Sequence, residues 1–481
     1  MTSTDAAIAA RPATRRRAEG AVVVVVSALV AAGAVLRHIG TKPLWRDEAV
    51  SVSVAGRPVA RIVLVLTHHD ANAGLYYVVL HFWLFFGRSA AWARGLSALF
   101  FVATAALAAG AGWRWKGRET GLACGLLIAL NPFLLYYGQE ARPYALAALL
   151  ATVVVIALFW PAPRLFAAAA IALLYADLFA VLFVAALAAV VARRRPGLTR
   201  PLVVVVAAAA PLAAVMLVLE RGQISWLPRP SRGVLATTIT SMTGGRLGLF
   251  LVVALGVAAL VGARNREPMA ALAAAAVLPP LALWTAAQAV PVFIDRYVIP
   301  SAVAMVALAA AGATVLAARL GSVGRLLGIG GVGLLLVLGG QHVARLEAQP
   351  YKVDNGPGVV RFIQSQAQGG DAVAYAGGGL RTLIEAATSR APGPFPPDVA
   401  LAPGGQAFRQ HDLYAREVAA PVLAARLTAV QRLWLITDPG DQRYPQGGPF
   451  ATLRPVVTAD FRSAATASFG SVEVTLLVRQ P

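Results

Sequence analysis

The stretch Trp45-Arg46-Asp47-Glu48 sets two adjacent carboxylates beside a guanidinium and an indole, just past the first long apolar run, Ala21 to Leu36. Consecutive side chains diverge by about 100° on a helix or 180° on a strand, so the two acids are expected to divide their work. One faces a substrate hydroxyl as general base, and the other pairs with a cation such as Arg142 to hold the segment. The same interval carries Lys42, His68, His69, Asp70 and Asn72. Two later clusters, Gln139, Glu140, Arg142 and Tyr144, then Asp295, Arg296 and Tyr297, add arginines. A planar guanidinium binds a phosphate bidentately and stabilises it as it leaves, which complements a base. The plain alternative is a set of interfacial anchors and ion pairs holding helices in register.

These groups need elements to position them, and the composition says where. The chain has 481 residues, 58% hydrophobic and 13% charged, against roughly a quarter charged in a soluble domain. That imbalance indicates a mostly α, polytopic membrane protein. The net charge of +20 does not imply nucleic acid, because many arginines fall in short loops between apolar runs, where they act as topology signals and contact the lipid bilayer. One cysteine, Cys124, makes no internal disulfide and offers no metal spacing.

Residues 1–20 form a basic tail placed in the cytoplasm, and 21–36 an uncleaved first helix rather than a signal peptide. Ten further spans are expected near 93–112, 119–137, 143–160, 165–176, 178–192, 201–219, 248–263, 270–290, 298–317 and 326–341, about eleven in all. Every loop placed inside is basic, as in Arg114, Lys116 and Arg118, or Arg193, Arg194 and Arg195. The three polar clusters then lie outside. Leu75 to Phe86 is too short to cross and rich in aromatics, so the external loop 40–92 is expected to hold one or two surface helices. The membrane segment ends near 344, and 345–481 reads as a small extracytoplasmic α/β domain. Its expected helices lie near 358–367, 380–387 and 419–430, and its strands at 372–376, 433–437 and 472–478.

At Trp45-Arg46-Asp47-Glu48, Leu75-Tyr76-Tyr77, Tyr137-Gly138-Gln139-Glu140-Ala141-Arg142-Pro143-Tyr144 and Asp295-Arg296-Tyr297, in this order and on one expected side, the chain resembles the GT-C superfamily of membrane glycosyltransferases. It looks most like glycosyltransferase family 39, the protein-mannosyltransferase-like and aminoarabinose-transferase-like enzymes. The resemblance covers residues 21 to about 340. It implies inverting transfer of a sugar, of mannose or arabinose type, from a polyprenyl-phosphate carrier to a glycan, lipid or protein acceptor outside the membrane. By that likeness Asp47 is the base and Glu48 its supporting partner, while Arg142, Arg296 and Lys42 hold the donor phosphate. Arg46, His68, His69, Asp70, Tyr76, Gln139, Glu140, Tyr144 and Tyr297 are the expected substrate contacts. Relatives carry a His, often followed by prolines, ahead of the Leu-Tyr-Tyr segment, where this chain has Asp70-Ala71-Asn72-Ala73-Gly74. His68 or His69 takes over that role, or the acceptor contact differs.

No cofactor is called for. A divalent metal at His68-His69-Asp70 is only weakly suggested by three adjacent residues on a loop. Gly377-Gly378-Gly379 reads as a tight turn rather than an anion site. Trp226, Pro228, Arg229 and Pro230 fit either a carrier contact or an aromatic belt, and Asp177 and Glu220 either ion pairs or a site. Outside the transferase class, a transporter or lipid flippase could use the external acids to bind a cation. Such proteins place their charges near the midplane, often in repeated halves, and neither feature is evident here.

Overall fold

The computed structural model describes residues 13–192, 195–218, 229–290, 292–377, 379–391, 393–406, 412–413, 415–440, 457 and 459–480. Glu220, Trp226, Pro228, Arg193, Arg194 and Gly378 lie outside them. In chain order the elements begin with α1 (Ala13–Leu36), then the short helices α2 (Arg46–Ala55), α3 (Val59–Leu66) and α4 (Gly74–Trp83). A helical series follows: α5 (Ala90–Lys116), α6 (Arg118–Ala129), α7 (Pro132–Gly138), α8 (Tyr144–Phe159), α9 (Pro163–Ala176) and α10 (Val181–Val191). It continues with α11 (Thr199–Val218), α12 (Arg232–Met242), α13 (Arg246–Gly262), α14 (Arg266–Ala286) and α15 (Ile299–Glu347). The C-terminal elements are α16 (Gly356–Gln366), β1 (Ala372–Ala376), α17 (Leu380–Thr388), α18 (Ala420–Leu427), β2 (Arg432–Thr437), β3 (Phe461–Phe469) and β4 (Val472–Arg479).

The chain divides into two compact units: residues 1–39, 94–216 and 228–348 form the first, and 40–93, 217–227 and 349–481 the second. The loop 40–92, grouped with the membrane segment on sequence, thus clusters with the C-terminal elements.

Among the described residues of the first unit, each of the eleven expected apolar runs falls mostly on helix, with a break at Leu130–Asn131 and turns after Ala286. Five helices are long and apolar enough to cross a membrane, and seven if the bent pairs α6–α7 (57°) and α12–α13 (72°) each make one span. Helices α8 and α9, and the stretch Leu178–Val191, are apolar but shorter. The 53-residue stretch Asp295–Glu347 would run about 80 Å unbroken, far beyond a ~30 Å hydrocarbon core. It breaks at Gly321 (φ 57°, ψ −130°), which divides it into two helical segments. The tight connection between α9 and α10 is made by Asp177, in extended conformation, whose Oδ1 accepts the Phe179 N–H at 3.0 Å.

Small residues and side-chain bonds bring these helices together, as expected where lipid removes the hydrophobic contrast. A Cβ on Gly312 of α15 would collide with the Leu255 carbonyl of α13. Ser301 donates to the Ala275 carbonyl at 2.8 Å, and Thr120 bonds Thr314 at 2.8 Å. Val206, Phe250, Val261 and Leu326 remain exposed, the pattern of a surface that meets lipid. The protein is a multi-pass membrane protein.

The second unit is built on a mixed sheet of order β1-β2-β4-β3, with β1 and β2 parallel and the other pairs antiparallel. Alternation divides its faces. Val373, Tyr375, Trp434, Ile436 and Val474 pack with α16 and α17, while Ala372, Ala374 and Leu433 pack with Leu423 and Leu427 of α18. Ala49 of α2 belongs to the first of these clusters, which is why the 40–93 segment folds with this sheet. Strand β3 was not expected from sequence; its residues after Phe461 are mostly exposed and show no apolar alternation.

Candidate active site

Asp47 and Glu48 open α2, where carboxylates favourably meet the positive end of the helix dipole. They do divide. Glu48 is fully buried, and its Oε2 accepts the Trp45 N–H at 3.3 Å, the reciprocal half of a capping box. Asp47 is half-buried, and its carbonyl accepts the Ser51 hydroxyl at 2.9 Å. Lys42, just upstream, is also half-buried.

Arg46 is turned toward the sheet. Its backbone N–H donates to Asp354 Oδ2 at 2.8 Å, one terminal nitrogen meets Asp438 Oδ2 at 2.6 Å, and the other reaches Ser471 Oγ at 3.3 Å and Asp354 Oδ1 at 3.5 Å. Burial pulls this guanidinium's proton affinity down, but Asp354 and Asp438, aided by Asp47, overcome it and hold the group above the ordinary arginine value.

The His-His-Asp run is spread over three partners. His68 Nδ1 lies 2.9 Å from Thr67 Oγ1, His69 Nε2 lies 2.9 Å from Asp412 Oδ1, and Asp70 Oδ2 accepts the Tyr77 hydroxyl at 2.7 Å. Asp70 adopts a left-handed conformation (φ 54°), which turns the chain into the Ala71–Ala73 turn ahead of α4. Arg57, which sequence reasoning passed over, donates to the Asp412 carbonyl at 2.7 Å; burial lowers its proton affinity, partly offset by Asp412. Tyr76, on α4, is fully buried. The aromatic segment is fastened by Trp83 and Trp92, which stack at 4.7 Å and donate to each other's carbonyls at 2.7 and 3.0 Å.

The first unit gathers the other two clusters. Asn131 caps α7 by accepting the Leu134 N–H at 3.0 Å and ties it to the Met242 carbonyl at 2.8 Å, which fixes the 139–144 segment that follows. There the Arg142 guanidinium lies 5.7 Å from the Tyr144 ring centre, its Nε donating to the Tyr144 hydroxyl at 3.3 Å. The Arg296 guanidinium lies 5.9 Å from the same ring. Tyr137 packs edge-on to Tyr144 at 5.0 Å and has Asp295, Glu140, Arg296 and Tyr144 as its electrostatic neighbours. Glu140 and Arg142 are both buried, and Tyr297 stacks on Phe179 at 4.1 Å. Gln139 instead serves the backbone, donating to the Val35 and Arg37 carbonyls at 3.1 and 2.9 Å. Arg94, 1% exposed, donates to the Ile39 carbonyl at 2.9 Å; its signal was a lone charge opening an apolar run.

Two guanidiniums converging on one tyrosine, at the N-terminal ends of α8 and α15, make a site suited to an anionic oxygen. No family model matches the chain, and no curated protein matches it. Solved structures do. ArnT from Cupriavidus metallidurans in the apo state superposes over 94% of this chain and 97% of its own, with TM-score 0.51 and 13% identity. The same protein bound to undecaprenyl phosphate covers the same shares with TM-score 0.53 and 13% identity. The chain has a GT-C fold. The likeness of fold extends over nearly the whole chain.

Proposed function

We propose that the protein is an inverting glycosyltransferase that moves a sugar from a polyprenyl-phosphate carrier to a hydroxyl acceptor on the outer side of the cell membrane. The observation that carries this reading is the convergence of Arg142 and Arg296, from distant parts of the sequence, on Tyr144. It is joined by the fold shared with ArnT, a protein whose structure holds undecaprenyl phosphate.

In this reading Asp47 takes the proton from the acceptor hydroxyl. The acceptor oxygen forms its bond to the anomeric carbon from the face opposite the phosphate, and the sugar–phosphate bond breaks with inversion. The bonding electrons leave on the phosphate, whose added charge Arg142 and Arg296 neutralise. Because the leaving group is a stable anion, no general acid is required. Glu48 caps α2, and Arg46 braces it, so both serve to orient Asp47. Tyr144 orders the two guanidiniums, and Lys42 adds positive charge near the start of the loop. His69 and Asp70 shape the acceptor side, and the N-terminus lies in the cytoplasm, with the C-terminal sheet outside.

The test supplies the purified chain with radiolabelled polyprenyl-phosphate sugars and a membrane extract. Native protein transfers label, and Asp47→Asn loses transfer by about 10²–10⁴-fold while still binding the carrier. Equal transfer by both removes Asp47 from the mechanism. No transfer from any polyprenyl-phosphate sugar rejects the function.

A further inference from the structure

The C-terminal sheet has the anatomy of a ligand crevice. Strands β1 and β2 are parallel, Gly377 follows β1, Asp438 follows β2, and Gly379 (φ +74°) leads into α17. In open α/β sheets, ligands bind outside the carboxyl ends of such strands. Here the Arg46 side chain fills that place. A Cβ on Gly379 would lie 2.9 Å from Arg46 Cγ, and Asp438 takes the guanidinium at 2.6 Å.

The grip extends to the backbone. Asp354, 0% exposed, accepts both the Arg46 N–H at 2.8 Å and the hydroxyl of Ser471. The amide so held is one peptide unit from the Asp47 Cα, a fixed ~3.8 Å step from Arg46 Cα.

We propose that Asp354 and Asp438 are positioning residues for the transfer reaction: they clamp Arg46 in the sheet crevice and thereby set the carboxylate of Asp47. The C-terminal sheet is then a brace for the base, with its crevice used internally. This rests on Asp47 acting as the base, so the test has an arm independent of activity.

Asp438→Asn and Asp354→Asn, with Asp438→Glu as conservative control, are made in the full-length protein in lipid nanodiscs. Hydrogen exchange over residues 45–50 accelerates about tenfold or more in the Asn variants, as expected from losing a hydrogen bond to a charged group, while α16 and β1 keep their protection. In the transfer assay kcat falls about 100-fold at unchanged donor KM, the cost of a ~1 Å misplacement, and Asp438→Glu recovers most of it. Unchanged exchange at 45–50 in Asp438→Asn overturns the clamp, as does a rise in donor KM with kcat intact. If Asp354→Asn fails to fold, the partly exposed Asp438 decides alone. If native protein transfers nothing, the reading of Asp47 falls and the exchange arm still decides the clamp.

Discussion

Replacing Arg296 by Ala probes the proposed anion site through one of its two cations and leaves the other in place. The Arg296 guanidinium is half-buried and lies 5.9 Å from the Tyr144 ring, so water screens it less than it would a surface cation. A hydrogen bond to a charged partner contributes about 1.5–3 kcal/mol, so Arg296→Ala weakens binding of undecaprenyl phosphate by about 10–150-fold. Arg296→Lys keeps the charge and loses the planar fork, and falls between. Tyr144→Phe retains the ring face for both cations and removes only the hydroxyl that accepts Arg142 Nε at 3.3 Å. That bond is neutral on the acceptor side and contributes about 0.5–1.5 kcal/mol, so the expected loss is about 2–10-fold. Calorimetry in nanodiscs reads each dissociation constant, and unchanged thermal unfolding confirms that the variants are folded. An Arg296→Ala affinity within about twofold of native refutes the assignment, because a contact of that kind cannot be lost so cheaply.

Three further outcomes follow from other parts of the molecule. Burial raises the Glu385 carboxyl above its ordinary value of 4.5, with Arg381 opposing and Asp398 reinforcing the shift, so the folded state binds its proton more tightly than the unfolded one. Its ionised form therefore costs stability, a cost absent below 4.5 and growing as pH rises through the folded value. Glu385→Gln should raise the unfolding temperature at pH 7, and the gain should vanish in acid. Trp83→Ala removes a stacked pair and the hydrogen bond that its indole N–H donates to the Trp92 carbonyl, and should destabilise the 74–92 segment by about 1–3 kcal/mol, read as faster hydrogen exchange there. In a Cys124→Ala background, Ser463→Cys on the exposed face of β3 should label with an impermeant maleimide in intact cells. Labelling only after permeabilisation reverses the proposed orientation.

Much of the fold was legible because the bilayer constrains sequence strongly: apolar runs and basic loops suffice to mark most of the helices, including an interruption between 317 and 326, where the structure breaks at Gly321. The different surroundings of Asp47 and Glu48 follow from local geometry, since neighbouring side chains on a helix cannot share a direction, and Glu48 sits three residues after the Trp45 cap. Strand β3 was not legible, because an edge strand written Phe-Arg-Ser-Ala-Ala-Thr-Ala-Ser-Phe carries few large apolar residues and a register shift near Ser463, so its partly covered face leaves little period-2 signal. The partners of Arg46 were illegible for another reason. Asp354 and Ser471 lie 308 and 425 residues away, and no local pattern announces which distant carboxylate will meet a given arginine. For the same reason the sequence placed Arg46 among the substrate contacts, whereas its geometry supports a bracing role. Gln139 shows the converse: within a polar motif it serves backbone carbonyls at the end of α1, a task that residue type alone does not distinguish from substrate binding.

The account is tested most directly by determining the structure of the protein with a polyprenyl phosphate bound in a nanodisc. The phosphate oxygens are expected at about 2.7–2.9 Å from the guanidinium nitrogens of both Arg142 and Arg296, beside the Tyr144 ring. A phosphate held elsewhere, with neither arginine in contact, contradicts the proposed donor site and the transfer mechanism built on it.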